Sequence, residues 1–434
     1  MTARSLAEWL AYLEQLHPSA IDMGLERCAE VAQRLGLTRL APRMITVTGT
    51  NGKGSTCAFI ASLLQEQGLR VGLYSSPHLL RYNERVQISG VTASDAELCQ
   101  AFAVVEAARG DISLTYFEMG TLAAFWLFRE ANLDAVVLEV GLGGRLDAVN
   151  LMDADIALVT SIGIDHADWL GDTRESVAFE KAGIFRAGMP ALCGDLEPPQ
   201  PLLDRVAGLD APFFLRGRDY DLSIEAQHWS WYGLNGQGEV LQLERLPLLD
   251  LPMENAALAL QAYALTGLPW QAEQIGSALL RTRVTGRLDR RVVNWQGKSL
   301  TLLLDVGHNP QAAEYLARHL AERPMQGRRA VFGLLADKDL AGVVRPLLSE
   351  VQAWAVAPLP TARSRDAAEL QAQLHNSGAQ VAAYADVQAA LQAQCEQAAT
   401  GDEILVFGSF YCVAEALDWL ARQANGGVQD GFAG

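Results

Sequence analysis

The sequence is poor in cysteine motifs, in long apolar runs and in basic residues. Its six cysteines are scattered and form no CxxC pair, which argues against both a disulfide framework and a zinc site. No apolar run is long enough to cross a bilayer, and the segment 1–16 has the pattern of an amphipathic helix rather than of a signal peptide. We therefore predict a cytoplasmic protein with reduced thiols and no membrane partner.

The shortage of basic residues limits which partners the protein can bind. The chain carries 34 lysines and arginines against 51 acidic residues, a formal net charge of −17. Clustered positive charge is what binds a nucleic-acid backbone, so nucleic acid is not expected as a partner. A single nucleotide needs only backbone amides, one lysine and a metal ion. With 434 residues, the chain is also expected to form two globular domains.

An apolar strand that starts at Met44 runs into a glycine-rich turn and then into a helix. Such a turn lets backbone amides face an anion at the positive end of the helix. Lys53 would reach the terminal phosphates, and Ser55 or Thr56 would offer a hydroxyl to Mg²⁺. The pattern is a shortened P-loop, because valine and glycine stand at two positions of the strict motif. We interpret it as an ATP-binding loop, against the alternative of an incidental glycine-rich turn.

Three predicted strands of the first half end in polar side chains: Ser76, Glu139 and, a few residues further on, His166. Because α/β sheets bind ligands at the carboxyl ends of their strands, these residues are expected on one rim. A carboxylate that ends an apolar strand beside a phosphate loop suits Mg²⁺, which prefers oxygen ligands. A serine alone more often caps a turn, and a histidine alone is more often structural. Their convergence favours a metal site.

Lys181 lies between apolar residues on a helix predicted to begin after Thr173. Desolvation would favour its neutral amine. A neutral lysine can take up CO₂ as a carbamate and become a metal-binding anion. The alternative is an ordinary salt bridge.

Two further residues of the first half have two interpretations each. Phe117 would either stack on a flat heterocycle or belong to the core. Asn255, near the start of a predicted helix, would either cap it or touch a base. In the segment between Phe117 and Asn255, apolar and polar residues alternate around Trp229 and Trp231. This alternation predicts a small antiparallel sheet.

The second half alternates predicted strands and helices. The strand candidates are 300–306, 329–335, 354–358, 381–384 and 403–408. This spacing predicts a parallel sheet covered by helices. The first strand ends in Asp305 and His308 and the last is followed by Ser409, so both polar ends belong to the ligand-binding edge. The polar stretch around Arg287 is interpreted as an interdomain linker.

Six motifs in this order resemble those of the folylpolyglutamate synthase family of the Mur ligase superfamily: Gly49–Ser55, Ser76-Pro77-His78, Glu139–Asp147, Ile164-Asp165-His166, Lys181–Ile184 and His308-Asn309-Pro310. The stretches 21–27 and 108–121 resemble the bacterial members that are also dihydrofolate synthases. Gly307 departs from the alanine that is usual in the family before the histidine.

The resemblance implies an α/β chain with three parts. Residues 1–285 would form a P-loop ATPase-like domain that binds ATP and the pterin, 286–299 a linker, and 300–434 a smaller Rossmann-like domain with a mainly parallel sheet that binds glutamate. The implied activity is ATP-dependent ligation of L-glutamate to dihydropteroate or to reduced folates through an acyl phosphate. One or two Mg²⁺ ions would be needed, and the family suggests a monomer.

The resemblance also implies roles for individual residues. Lys181, as a carbamate, Lys53, Asp305 and His308 would take part in catalysis. ATP would be held by Thr50, Asn51, Gly52, Lys53, Gly54, Ser55, Asn255, Arg287 and Asp305, and metal by Ser76, Glu139, His166 and Lys181. The pterin would contact Asp22, Met23, Gly24, Thr115, Tyr116, Phe117, Glu118, Leu146, Asp147 and Ala148, and glutamate would contact Asp305, His308 and Ser409.

Two alternatives stay open at the level of sequence. A Mur ligase of cell-wall synthesis shares the ATP chemistry but usually carries another domain before the P-loop, where only 48 residues precede Gly49 here. A non-catalytic P-loop switch would leave Lys181 and the polar rim of the second domain unexplained.

Overall fold

The computed structural model describes residues 4–425 and divides the chain into two compact units, Met1–Arg283 and Val284–Gly434. The helices of the first unit are α1 (Leu6–Leu13), α2 (Glu26–Arg34), α3 (Lys53–Glu66), α4 (Asp95–Arg109), α5 (Tyr116–Glu130), α6 (Ala167–Leu170), α7 (Arg174–Ala182), α8 (Gln200–Gly208), α9 (Met253–Ala264) and α10 (Ala272–Arg281). Its strands are β1 (Arg43–Thr48), β2 (Val71–Tyr74), β3 (Val86–Ile88), β4 (Val91–Thr92), β5 (Ala135–Glu139), β6 (Ile156–Val159), β7 (Ala191–Cys193), β8 (Phe213–Leu215), β9 (Asp221–Ile224), β10 (His228–Leu234) and β11 (Val240–Pro247).

The first unit is organised around an eight-stranded sheet with the order β4-β3-β2-β5-β1-β6-β7-β8. Six neighbouring strands run parallel to one another, in the order β2, β5, β1, β6, β7 and β8. Strands β3 and β4 add an antiparallel edge beside β2. β5 lies between β1 and β2, with Val47 opposite Glu139. The carboxyl ends of β2, β5, β1 and β6 are therefore neighbours on one edge. The apolar strands are buried on both faces, as parallel sheets require.

Local sequence signals set several helix boundaries. Ser94 and Glu97 form the predicted capping box of α4, and Thr115 and Glu118 form another at α5. The second box starts α5 at Tyr116, so Phe117 lies on its first turn. The predicted small antiparallel sheet is confirmed as the three-stranded sheet β11-β10-β9.

The second unit contains β12 (Asp289–Trp295), β13 (Lys298–Asp305), α11 (Pro310–Ala321), β14 (Arg328–Phe332), α12 (Leu340–Val344), β15 (Ala353–Val356), α13 (Ala367–Asn376), β16 (Val381–Ala383), α14 (Val387–Gln397), β17 (Glu403–Phe407) and α15 (Phe410–Asn425). Its sheet has the order β12-β13-β17-β14-β15-β16. The five predicted strands are present and parallel to one another. The expected α/β architecture with a mainly parallel second sheet is confirmed.

The expected linker 286–299 is corrected by the structure. Most of it is strand β12 and the start of β13, which pair antiparallel from Asp289 opposite Leu304 to Trp295 opposite Lys298. The polar residues that made this stretch look like a linker are those of an edge strand, since Arg290 reaches the buried carboxylate of Glu403. Within 289–295 only Val293, Asn294 and Trp295 alternate between apolar and polar residues, which is a weak signal for a strand.

Among the described residues, no helix has the length and apolar character that crossing a membrane requires.

Candidate active site

The glycine-rich turn between β1 and α3 has the backbone that an anion-binding loop requires. Gly49 and Gly52 both have positive φ, 154° and 86°. A Cβ at Gly52 would lie 2.5 Å from Oδ1 of Asn255, so the loop and the start of α9 approach as closely as glycine permits. The Lys53 amine donates back to the carbonyls of Gly49 and Thr50, at 2.9 and 3.3 Å. The loop is thus closed on itself, with Asn255 against it.

The segment after β6 fixes the shape of this loop. The Thr50 hydroxyl donates to the carbonyl of Gly163 and accepts its N–H, at 2.8 and 2.9 Å. The backbone of Asn51 donates to the Ser161 hydroxyl and accepts from the Thr160 hydroxyl, at 3.0 and 2.6 Å. Hydrogen bonds to the segment 160–163 therefore fix the backbone of the phosphate loop.

Ser55 and Thr56, the two hydroxyls predicted to serve Mg²⁺, lie in the first turn of α3 and are both buried. The Thr56 hydroxyl has no hydrogen-bond partner among the described residues.

Two of the predicted metal ligands, Ser76 and Glu139, are adjacent. The N–H of Ser76 donates to Oε2 of Glu139 at 3.2 Å, and a Cβ on Gly54 would lie 3.5 Å from the same oxygen. Ser76, Glu139 and the start of α3 are therefore adjacent, as the strand order requires. His166 is exposed at the start of α6, in the left-handed region with φ 53°, and its N–H bonds the Asp165 carboxylate.

Lys181 is buried on α7, with 2% of its surface exposed. Burial lowers the pKa of its amine to about 7, and the positive charge of Lys53 adds to this effect. The negative charges of Asp165 and Asp147 act in the opposite direction and raise the pKa of this amine. The predicted desolvation is confirmed, and the influence of Lys53 places the Lys181 amine within electrostatic reach of the phosphate loop.

Part of the predicted pterin-binding set forms a connected polar cluster. Arg27 pairs with Asp22 at 2.7 Å and with the buried carboxylate of Glu118 at 2.9 Å. Glu118 also accepts the N–H of Thr115 at 2.7 Å. Sequence reasoning named Asp22, Thr115 and Glu118 but missed Arg27, the cation that joins them.

The other members of that set line the turn after β5. The Phe117 ring is half-buried and packs on Gly141, where a Cβ would lie 2.6 Å from the nearest ring atom. Protein therefore covers part of the ring, and the stacking of Phe117 on a flat heterocycle stays a prediction. Burial raises the pKa of Asp147 to about 6 despite three backbone N–H donors, from Leu142, Val149 and Gly141.

Three more residues of the set are near this turn. The Met23 methyl group would lie 3.6 Å from a Cβ on Gly143, while Leu146 is half-buried and Ala148 is buried. Gly24 lies beside the carboxylate of Glu26. Tyr116 starts α5 and is half-buried.

The sequence reasoning also missed Arg85. Its guanidinium donates from Nε to Nδ1 of His78 at 2.9 Å and lies over the rings of Tyr82 and Tyr116. His78 belongs to one of the quoted motifs, but no sequence pattern connected it to Arg85.

Polar groups of the second unit collect at the ends of β13 and β17. The Asp305 carboxylate accepts the N–H groups of Gly307 and Leu288, at 2.7 and 2.9 Å, and burial raises its pKa. Nδ1 of His308 lies 2.8 Å from the carbonyl of Val306. The neighbouring Asp305 explains why glycine stands at position 307, since a Cβ there would lie 2.8 Å from Oδ1 of Asp305.

Arg287 and Ser409 flank this group. The Arg287 guanidinium lies 5.2 Å from the centroid of the Phe410 ring, and the His308 ring is 6.2 Å from that ring. Ser409 is buried, and its hydroxyl accepts the N–H of Cys412 at 2.9 Å, so it caps α15. The structure thus brings together Arg287, Asp305 and His308, and gives Ser409 a structural role as well.

Comparison with known proteins agrees with this geometry. Residues 47–191 match the Mur ligase middle domain, and residues 286–410 match the Mur ligase glutamate ligase domain. The chain is 45% identical to the dihydrofolate synthase/folylpolyglutamate synthase of Escherichia coli (strain K12), over 98% of each chain.

Two solved structures are similar over nearly the whole chain. One is Escherichia coli FolC in complex with DHPP and ADP, with a TM-score of 0.90 and 43% identity over 97% of this chain and 99% of that one. The other is a bifunctional folylpolyglutamate synthase/dihydrofolate synthase with Mn, AMPPNP and L-glutamate bound, with a TM-score of 0.87 and 46% identity over 96% and 98%.

Proposed function

Because this chain belongs to the dihydrofolate synthase/folylpolyglutamate synthase family of the Mur ligases, we propose that it is an ATP-dependent ligase with two acceptors. It joins L-glutamate to dihydropteroate, forming dihydrofolate, and to folyl-glutamates, forming polyglutamates. The observation that carries the proposal is a closed phosphate loop with Glu139 beside it and a buried lysine, Lys181, within its electrostatic reach. Membership of this family favours the ligase over a cell-wall enzyme and over a nucleotide switch.

ATP is assigned to the loop Thr50–Ser55. Its backbone amides and Lys53 neutralise the phosphates, and Asn255 lies against the loop from α9. In the second unit Arg287 and Asp305 are the nucleotide residues that the resemblance implies. ADP in FolC and AMPPNP in the other solved structure support this assignment.

The residues around Glu139 fit a hard divalent cation. A carboxylate, the Ser76 hydroxyl and the His166 imidazole are suitable donors, and Gly54 leaves open the space beside the carboxylate that a Cβ, 3.5 Å from Oε2, would occupy. Mn in a similar protein supports a metal site of this kind. When bound, Mg²⁺ would neutralise phosphate charge while a carboxylate attacks.

Lys181 is assigned to a carbamate. Its neutral amine would form an N–C bond with CO₂ and release one proton to solvent, leaving a side chain with one negative charge. A pKa of about 7 makes the neutral amine abundant near neutral pH. The carbamate would then provide an anion for a second metal ion.

The acceptor is assigned to the turn after β5 and the start of α5. Phe117 offers a flat apolar face, and Asp22, Glu118 and Asp147 supply polar groups around it. An acceptor carboxylate is a poor electrophile, and its conversion to an acyl phosphate supplies the leaving group. The attack transfers the terminal phosphoryl group of ATP to the carboxylate and releases ADP.

Glutamate is assigned to Asp305, His308 and Ser409. Its amine must be unprotonated to attack the acyl carbon, which expels phosphate and forms the amide. The contact of His308 Nδ1 with the Val306 carbonyl makes Nδ1 the donor, so that Nε2 carries the lone pair that accepts a proton. Asp305, whose two oxygens accept backbone N–H groups, is the other candidate for this role.

A direct assay tests the proposal. The protein is incubated with ATP, Mg²⁺, L-glutamate and either dihydropteroate or tetrahydrofolate, and amide product and ADP are measured. We expect stoichiometric ADP and product with both acceptors. Absence of product with both would reject the ligase.

The metal assignment has its own variant. We expect Glu139→Gln to lower kcat by at least about a hundredfold and to raise the Mg²⁺ concentration needed for half-maximal rate, because a neutral amide is a weaker metal ligand. Glu130→Gln, a change at an exposed residue paired with Arg129, is the control and is expected to leave both unchanged. An unchanged Mg²⁺ requirement in Glu139→Gln would contradict the assignment.

We further propose that the enzyme acts as a cytoplasmic monomer. All six cysteines are free thiols, which is usual in a reducing compartment. A molar mass near 47.0 kDa by light scattering is the expected result, and a dimer mass would contradict it.

A further inference from the structure

Arg85 is a buried cation without an anionic partner in the described part of the chain. Only 8% of its surface is exposed. Its Nε donates to a neutral nitrogen of His78 at 2.9 Å, and its guanidinium lies 5.2 and 5.7 Å from the ring centroids of Tyr82 and Tyr116. Among residues 4–425, Arg85 pairs with no aspartate or glutamate.

A second buried arginine shows the contrast. Arg328, with 4% exposed, donates to the carboxylate of Glu403 at 2.7 Å and lies 3.7 Å from that of Glu350. A buried charge is costly unless it is paired, and Arg328 follows this rule. Arg85 has aromatic rings and an imidazole instead, which stabilise a guanidinium less than a carboxylate does.

The place of Arg85 in the fold indicates which anion it meets. Its carbonyl accepts the N–H of Ser75 at 3.0 Å, and the next residue, Ser76, donates its N–H to Glu139. On the other side, Arg85 lies over Tyr116, which precedes Phe117 on α5. The backbone of Arg85 therefore contacts the segment that carries Ser76, and its guanidinium contacts the start of α5, which is assigned to the pterin.

We propose that Arg85 binds the carboxylate of the acceptor that is to be phosphorylated. This inference rests on the proposed function, because both acceptor classes carry a pterin at one end and the reacting carboxylate at the other. Dihydropteroate has no other carboxylate, so one cation at this position serves both acceptors. The planar fork of a guanidinium fits a carboxylate with two parallel hydrogen bonds and orients it.

Steady-state kinetics of Arg85→Gln test the assignment. We expect the KM for dihydropteroate and for tetrahydrofolate to rise about tenfold or more, because a charge-assisted hydrogen bond is lost. The KM values for ATP and glutamate should change by less than about twofold. Arg85→Lys keeps the positive charge but lacks the planar guanidinium. Its KM values for both acceptors should lie between those of wild type and Arg85→Gln. Millimolar guanidinium should partly restore Arg85→Ala.

Arg81→Gln is the matched control, since Arg81 directly precedes the single 3₁₀ turn Tyr82–Arg85 that contains Arg85, is exposed and pairs with Asp95. It is expected to keep wild-type KM values. Fluorescence titration with dihydropteroate measures binding without turnover and serves any variant that folds but is inactive.

The possible results separate the two proposals. Wild-type protein that makes no product with either acceptor would reject the ligase and this inference with it. Active wild type together with unchanged acceptor KM in Arg85→Gln, or a change confined to tetrahydrofolate or to ATP, would reject the role of Arg85 alone. Failure of guanidinium to restore Arg85→Ala while Arg85→Lys behaves like Arg85→Gln would also contradict it.

Discussion

At the scale of single residues, Lys181 couples the stability of the first unit to its chemistry. Its pKa is lowered to about 7, so at higher pH the folded protein has lost a proton that the unfolded chain still holds. Stability therefore rises with pH from about 7 up to the pKa of the unfolded lysine, about 10.4. We expect Lys181→Met to raise the thermal midpoint, more at about pH 6.5 than at about pH 9.5, because methionine removes a buried charge. A gain independent of pH would contradict this.

The carbamate makes a different prediction for the same residue. Lys181→Ala should abolish turnover while the protein stays folded, and small carboxylic acids should restore part of it by filling the space with an anion. Lys181→Arg is the control, because it fills the space and cannot take up CO₂, and it should be inactive with no restoration. Full activity of Lys181→Ala without added acid would refute the carbamate.

Gly52 and Gly68 form a natural pair for testing the phosphate loop. Both have positive φ, 86° and 76°, but a Cβ on Gly52 would meet Asn255 whereas one on Gly68 would meet nothing within 4 Å. We expect Gly52→Ala to raise the KM for ATP at least about tenfold, and Gly68→Ala to cost about 1 kcal/mol of stability with ATP affinity unchanged. Equal effects on ATP affinity would show that backbone strain, rather than crowding of Asn255, is responsible.

At the scale of elements, the ion pair between Arg174 and Asp195 fixes the position of the loop after β6. Arg174, the first residue of α7, donates to both oxygens of Asp195 and to the carbonyl of Ile162, and Asp195 accepts the N–H of Ile162 at 3.0 Å. Gly163, the next residue, bonds the Thr50 hydroxyl. The pair therefore positions the phosphate loop from a distance.

Asp195→Asn tests this positioning role. We expect the KM for ATP to rise about fivefold to twentyfold, with the KM for glutamate within about twofold, because one of the charge-assisted bonds to Arg174 is lost. Asp204→Asn on α8, an exposed residue bonded to Gln200, is the control. Parallel changes in both KM values would indicate a general loss of structure instead.

At the scale of the whole molecule, nucleotide should stabilise the fold by linkage. ADP with Mg²⁺ at about 100 times its Kd adds about 2.7 kcal/mol to the free energy of unfolding of the part that binds it. We expect ADP to raise the thermal midpoint by similar amounts in wild type and Gly68→Ala, and by about half as much or less in Gly52→Ala, because a tenfold weaker affinity leaves about 1.4 kcal/mol at the same ADP concentration. A shift in Gly52→Ala equal to that in wild type would place the nucleotide elsewhere.

The same scale shows what the sequence predicts well. Apolar runs bounded by glycine or a carboxylate predicted the central strands, because in a buried parallel sheet each strand carries its own signal. The phosphate loop and the desolvation of Lys181 are likewise local. Strand β12 was missed, because the charged residues of an edge strand resemble those of a linker. Arg27, Arg85 and Asp195 were missed, because each has at least one partner that the fold, and not the sequence spacing, brings next to it: Glu118, Tyr116 and Arg174 respectively.

The strand order of both sheets has a consequence for synthesis. β5 lies between β1 and β2, and β17 lies between β13 and β14, so in each unit a strand made later completes the middle of the sheet. A nascent chain that ends after β2 has the glycine turn but lacks the strand that joins it to Ser76. In the second unit, Asp305 ends β13, and the neighbouring strand β17 is among the last segments of the chain to be synthesised. In both units, a strand made later in the chain must therefore insert between two earlier strands before the binding edge is complete.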